Sequence, residues 1–210
     1  PWRLDDQAAL VLSTSGSTGT PREVVLGRRG LTANVEAILG YLPLDATSRV
    51  ASTTPLRFAY GLVGQALVAL HASATLLLHQ DVPFPVEQLR LLGEHRATAL
   101  SSVPTSLARL CALVEEGAQV PRLSWVASAG AELSEPLRRR LRAALPGTTL
   151  FNQYGLTEAS PRVAAISSAD ARFDAGSVGK PLRGLSVWAG DESGAPLTPG
   201  TEGELWLRGT

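Results

Sequence analysis

Two short segments hold the side chains best suited to chemistry. The first, Ser13-Thr14-Ser15-Gly16-Ser17-Thr18-Gly19-Thr20, is a run of hydroxyls and glycines between two apolar stretches. Such a loop can turn several backbone N–H groups and hydroxyls toward one point, and a concavity of that kind binds phosphate without net charge. It is not a Walker loop, because GxxxxGK(S/T) is absent and the only lysine, Lys180, lies far away in sequence. Standing alone, the same residues also describe a flexible surface turn. The second segment is Asn152-Gln153-Tyr154-Gly155-Leu156-Thr157-Glu158. It follows a predicted strand, Thr149–Phe151, which puts it at a strand's carboxyl end, where open α/β sheets bind ligands. Glu158 offers a hard oxygen ligand suited to Mg²⁺, Thr157 a hydroxyl for a phosphate oxygen, and Tyr154 a ring on which a base can stack. Taken singly, they also read as a solvated glutamate, a capping threonine and a core tyrosine.

The elements that must position these residues alternate. Ala8–Ser13 reads as a short buried strand, followed after the loop by a second strand, Glu23–Leu26. Leu31, Val35, Ile38 and Leu39 recur at helical spacing between Gly30 and Tyr41. Asp45–Thr54 reads as loop plus strand, Ala59–Leu70 as a mostly buried helix, and Ala74–His79 as a buried strand. An amphipathic helix at Glu87–His95, a strand at Ala97–Val103 and a helix from Thr105 to Glu115 follow. Leu123–Ala129 is another strand, and Ser134 is the expected N-cap of a helix that Pro136 opens and Gly147 ends. Strands thus alternate with helices as far as about residue 155, which predicts an α/β fold with a mostly parallel sheet flanked by helices. Beyond Pro161 helical periodicity disappears, and Leu185–Ala189 and Glu204–Arg208 alternate as strands around the turn Asp191-Glu192-Ser193-Gly194. A boundary near 165–178 divides an α/β core, 1–170, from a small β-rich segment, 171–210.

Composition narrows the function. The 210 residues carry 19 basic and 19 acidic side chains, so no net field attracts nucleic acid or an anionic membrane. Any bound anion must be held by local geometry. With 44% hydrophobic and 18% charged residues the chain reads as a soluble globular protein. One cysteine, Cys111, excludes an internal disulfide framework, fits a reducing, cytoplasmic compartment and reads as a packing residue. His71, His79 and His95 have no partners at metal-ligand spacing, and Arg138-Arg139-Arg140 with Arg142 reads as a solvated helix face. The chain opens at Pro1 and holds no methionine, which points to a piece of something longer.

Read together, the two segments gain specificity. Ser13–Val25 resembles the phosphate loop of the adenylate-forming (AMP-binding) superfamily, TSGSTGxPKG, and Asn152–Glu158 resembles its YGxTE signature. Between and after them, in the family's order, Pro55–Leu62 resembles PLFHxYGL, Val126–Leu133 the GGAxL stretch, and Gly176–Leu182 and Gly200–Arg208 the β-rich end of the large domain. The resemblance covers essentially the whole chain. It implies that Thr14, Ser15, Gly16, Ser17, Thr18 and Gly19 hold ATP phosphates, and that Gly130, Ala131 and Glu132 line the adenine site with Tyr154 stacked on the base. It further implies that Thr157 contacts the α-phosphate and that Glu158 coordinates Mg²⁺. The implied reaction is acyl-adenylate formation from a carboxylic acid, then transfer to a thiol, either coenzyme A or the phosphopantetheine of a carrier protein. A carboxylate is already ionised at neutral pH, so such a reaction asks for positioning and charge neutralisation rather than a strong base.

Three departures qualify the resemblance. Arg22-Glu23 replaces the usual Lys-Gly, and a guanidinium fork is not equivalent to an ammonium. Phe58 stands where acyl-CoA synthetases often have histidine and amino-acid-activating relatives aspartate, so the pocket of Phe58, Tyr60, Gly61 and Gly155 is expected to suit an apolar or aromatic acid, with Arg57 as a polar alternative. The chain also stops before the family's ribose-gripping aspartate and its C-terminal domain, so little adenylation is expected of these residues alone. Two other readings stay open: an adenylation domain within a multidomain synthetase, and a non-catalytic nucleotide-binding module.

Overall fold

The computed structural model describes residues 7–14, 22–79 and 85–209. It opens with a hairpin in which β1 (Ala8–Thr14) and β2 (Arg22–Gly27) pair antiparallel. Leu12 and Leu26 are buried, whereas Val11 and Val25 stay exposed. The strand at Ala8–Ser13 is therefore not the buried one its apolar run suggests, because a two-stranded ribbon has a single covered face. Helix α1 (Arg28–Leu39) buries Leu31, Asn34, Val35 and Ile38, one stripe at helical spacing.

The parallel strands are short apolar runs: β3 (Arg49–Ser52), β4 (Thr75–Leu78), β5 (Ala99–Ser102), β6 (Trp125–Ser128) and β7 (Thr149–Gly155). They pair in the order β4-β3-β5-β6-β7, all parallel. Two further strands, β8 (Arg162–Ser167) and β9 (Lys180–Pro181), extend the sheet antiparallel beyond β7, giving seven strands. All four residues of β5 and of β6 are buried, the mark of central strands covered on both faces. By contrast β4 is an edge strand with Thr75 and Leu78 exposed, so the expected buried strand at Ala74–His79 is buried only in part.

Alternation along the strands sends side chains to two cores. Leu100, Val126 and Leu150 pack with Leu92, Leu107, Leu110, Cys111 and Leu141 from α4 (Pro85–Glu94), α5 (Pro104–Glu115) and α6 (Glu135–Ala144). Ala99, Trp125, Ala127 and Phe151 pack on the opposite face with α1, the hairpin and the helix predicted over Ala59–Leu70. That helix has three parts: α2 (Ala59–Gly61), a π-helical turn over Leu62–Leu67, and α3 (Val68–His71). Ser134 does sit at the N-cap of α6, but its side chain makes no capping hydrogen bond, and the helix ends at Ala144, before Gly147. A separate antiparallel pair, β10 (Leu185–Gly190) and β11 (Glu204–Gly209), supplies the β-rich segment. The mostly parallel sheet flanked by helices is as the sequence predicts. Among the described residues no helix is long and apolar enough to cross a membrane.

Candidate active-site cleft

The carboxyl ends of the parallel strands open into one cleft. The turn after β3 contributes Thr53, Thr54 and Pro55, the ends of β5 and β6 contribute Val103, Ala129 and Gly130, and the end of β7 contributes Gly155, Leu156 and Thr157. Ser13 and Thr14 at the end of β1 close one side, and Arg57, Phe58, Tyr60, Pro161 and Arg162 complete a cavity of about 530 Å³. The hydroxyl-rich start of the first segment and the Gly155–Thr157 part of the second therefore share one wall-to-wall space. Ser15, Gly16, Ser17, Thr18 and Gly19 lie outside the described residues.

Local sequence explains much of the shape. Gly130 adopts φ +90°, a conformation open to glycine, and turns the chain sharply at the cleft rim after β6. Gly61 is buried behind the cleft rather than lining it: a Cβ there would stand 2.4 Å from the Pro55 carbonyl oxygen, so glycine lets α2 press against the Thr54-Pro55 backbone. Phe58 is half exposed at the mouth, with the Arg57 guanidinium 4.7 Å from its ring centre. Tyr60 reaches inward, its hydroxyl 2.8 Å from Ser101 Oγ and donating to the Ser102 carbonyl at 3.3 Å. Thr53 Oγ1 and Ser102 Oγ stand 2.6 Å apart, and Gln65 Nε2 donates to Thr54 Oγ1 at 3.3 Å.

The second segment is held from behind. Strand β7 runs through Gly155 rather than ending at Phe151, because β8 pairs with it from Phe151↔Ser167 to Gly155↔Arg162. Asn152 and Gln153 are buried structural polar groups: Asn152 Nδ2 donates to the Ser177 carbonyl at 3.1 Å, and Gln153 Nε2 to Tyr41 Oη at 2.8 Å. Asn34 of α1 clamps the following chain, its Nδ2 donating to the Arg162 carbonyl at 2.7 Å and to the Ala159 carbonyl at 3.2 Å while its Oδ1 accepts from Arg162 N at 3.1 Å. Thr157 and Glu158 sit on the short 3₁₀ turn Thr157–Ala159 that this clamp supports.

Thus Thr14, Phe58, Tyr60, Gly130, Gly155 and Thr157 come together in the cleft. Ala131 and Glu132 are exposed beyond Gly130, and Tyr154 is half-buried near the end of β7; none of the three lines the cavity. Glu158 is exposed, makes no ion pair among the described residues, and lines a smaller neighbouring cavity with Ser160 and Arg183. Its free carboxylate oxygens, one residue from the Thr157 hydroxyl, are hard donors of the kind a magnesium-bound phosphate requires.

One cleft residue carries no sequence signal beyond a charge inside an apolar run. Arg162 is 2% exposed, and its guanidinium lies 5.0 Å from the centre of the Tyr60 ring. Its Nε and Nη2 have no hydrogen-bond partner among the described residues. Burial pushes the Tyr41 phenol up to about 12 and raises that of Tyr60, with Arg162 opposing both shifts. Both phenols are therefore neutral.

A family model described as AMP-binding enzyme matches residues 1–210. The indoleacetate–CoA ligase of Aromatoleum aromaticum is 30% identical over 205 residues, a match spanning 95% of this chain and 39% of that protein. A linear gramicidin synthase of Brevibacillus parabrevis is 30% identical over 208 residues, covering 98% of this chain and 4% of that one. Among solved structures, O-succinylbenzoate coenzyme A synthetase of Bacillus subtilis in complex with AMP superimposes with a TM-score of 0.84 at 26% identity, over 97% of this chain and 41% of that one. VinN superimposes with a TM-score of 0.85 at 26% identity, over 99% and 52%. The chain thus spans about two fifths of the curated CoA ligase and about half or less of these structural neighbours.

Proposed function

Because the chain belongs to the AMP-binding enzyme family, we propose that it forms the nucleotide- and acid-binding part of an acid–thiol ligase. The reading rests above all on one observation: Ser13 and Thr14 share a single cleft with Gly155 and Thr157 at the carboxyl ends of the parallel strands. ATP is the first substrate. Thr14, with Ser15, Gly16, Ser17, Thr18 and Gly19, cradles the β- and γ-phosphates, Gly130, Ala131, Glu132 and Tyr154 border the base, and Thr157 bonds the α-phosphate. Glu158 would hold a magnesium ion, which would supply neutralisation of charge on the phosphates. The acid enters between Phe58, Tyr60 and Gly155. Its carboxylate oxygen bonds to the α-phosphorus as the bridging α,β P–O bond breaks and pyrophosphate leaves. A thiolate then attacks the acyl carbon and AMP departs. The protein's work is to hold two anions in line while cancelling their repulsion, which needs oriented donors rather than a base.

Both acceptor chemistries have relatives. The CoA ligase above favours coenzyme A, and the gramicidin synthase favours an adenylation domain serving a carrier-bound phosphopantetheine. Carboxylate-dependent exchange of pyrophosphate into ATP, measured on the natural full-length polypeptide, tests the first half-reaction. Glu158→Gln and Thr157→Ala should each slow exchange by on the order of 100-fold or more. Exchange with no acid, or exchange indifferent to both substitutions, refutes the reading, and nucleotide binding without exchange identifies a non-catalytic module instead.

A further inference from the structure

A buried guanidinium cannot shed its proton, and a buried charge must be paired to be tolerated. Arg162 meets neither an aspartate nor a glutamate at ion-pair distance among the described residues, although six other ion pairs form there. Its two flanking phenols, Tyr41 and Tyr60, bring no negative charge. The Tyr60 ring offers its face at 5.0 Å and the Tyr41 hydroxyl stands within hydrogen-bonding reach of the guanidinium, but among the described residues Nε and Nη2 have no carbonyl or carboxylate. Native proteins rarely leave buried N–H groups in this state without a reason.

The surroundings are built to keep the group there. Gly64, on the π-helical turn, leaves space that a side chain would take: a Cβ would lie 3.3 Å from Nη2, 3.2 Å from Tyr60 Cδ2 and 3.5 Å from Pro161 Cγ. π turns concentrate where a helix must present side chains to a ligand. Asn34 fixes the Arg162 backbone through both its N–H and its carbonyl. The side chain faces Tyr60, Gly64 and Tyr41, on the flank of the cleft assigned above to the acid, and Arg162 lines the same cavity.

We propose that Arg162 is a specificity-determining residue that receives a second carboxylate carried by the acid, so that the substrate class is dicarboxylic. This inference rests on the adenylation reading and sharpens it. One carboxylate goes to the α-phosphorus at Thr157, and the other is taken by the unpartnered Nε–H and Nη2–H in a charge-assisted fork. The apolar or aromatic monocarboxylic acid expected from Phe58 and Tyr60 alone leaves the cation uncompensated in the filled, water-poor cleft.

The test compares straight-chain acids of increasing length, each with and without a terminal second carboxylate, in pyrophosphate exchange by the natural full-length polypeptide. A site built around a buried polar group discriminates strongly against ligands that fail to pair it, so one dicarboxylate should exceed its monocarboxylate roughly 100-fold or more in kcat/KM. Arg162→Met should bring that ratio close to one, and Arg162→Lys should retain part of it with a raised KM. Replacing buried ionic groups by apolar side chains of similar volume is often neutral or stabilising, because the desolvation cost disappears with the charge, so the Arg162→Met unfolding midpoint should match or exceed wild type. A lowered midpoint together with an unchanged acid preference would make the arginine merely structural and overturn the proposal. Wild-type preference for monocarboxylates across the panel overturns it while leaving adenylation intact. Exchange with no acid at all removes both readings.

Discussion

Replacing Gly155 by alanine adds one methyl group at the point where the cleft and the sheet meet. The methyl would be built 1.9 Å from the Pro161 carbonyl oxygen, 2.9 Å from its carbon and 3.2 Å from Arg162 Cα. To bring the closest of these to 3.0 Å, the Pro161 carbonyl must retreat by about 1 Å. No rotamer change can supply that, because every obstacle is backbone, and the backbone is anchored by the Gly155↔Arg162 pairing and by Asn34. Overpacking typically costs about 1–3 kcal/mol, and prying open the end of a β ladder adds about 1 kcal/mol per lost hydrogen bond. We expect about 3 kcal/mol in local stability. At 1.4 kcal/mol per factor of ten, amide exchange along β7 and β8 of the full-length polypeptide should quicken on the order of 100-fold. Gly147→Ala is the reference. Its φ of +78° carries a backbone penalty of about 1–2 kcal/mol, but nothing lies within 4 Å of the new methyl. Exchange at β7 and β8 that changes by less than about twofold in Gly155→Ala would refute the claim that close backbone approach, rather than backbone freedom, requires glycine there.

Two further outcomes follow from the buried titratable groups. Burial, and secondarily the neighbouring His95 ring 6.0 Å away, hold His79 below its ordinary value of 6.5. The unfolded chain then binds a proton below pH 6.5 that the folded chain refuses, so His79 costs no stability above that pH and progressively more as pH falls through the interval beneath it; denaturation midpoints across pH 7.5 to 5 should slope less in His79→Phe, and an equal slope would contradict this. Cys111 is fully buried in α5 and burial raises its thiol, so iodoacetamide should label it at least about 100-fold more slowly in the native protein than in denaturant; comparable rates would show that the core around it opens.

Local pattern carries a large share of this architecture. The Leu31, Val35 and Ile38 spacing marks the buried stripe of α1, and the tetrads around Leu100 and Val126 mark central strands. The positions of Thr14, Gly155 and Thr157 around one cleft were legible from two motifs at strand ends, and that of Gly130 from the resemblance of Val126–Leu133. What local pattern does not hold is which strand becomes an edge or gains a partner. Ala74–His79 looks as apolar as β5, yet among the described residues it has a strand on one side only. The length of β7 depends on a partner, β8, whose first residue, Arg162, and the Pro161 just before it obscure its strand character. Arg162 is hidden for the same reason: its burial is made by Tyr60, Gly64 and Tyr41, about 100 residues or more away in sequence, and no local period encodes that meeting.

The π turn at Leu62–Leu67 also limits how this helix can evolve. Each helical residue advances about 100° around the axis, so losing or gaining one residue within the turn would rotate everything beyond it by that angle. Tyr60 aims at the cleft from before the turn, while Val68 and Ala69 enter the core from after it. No re-phased helix could satisfy both. Changes of length here are closed, and the widened turn, with Gly64 leaving room for Nη2, is thereby locked to the arginine it accommodates.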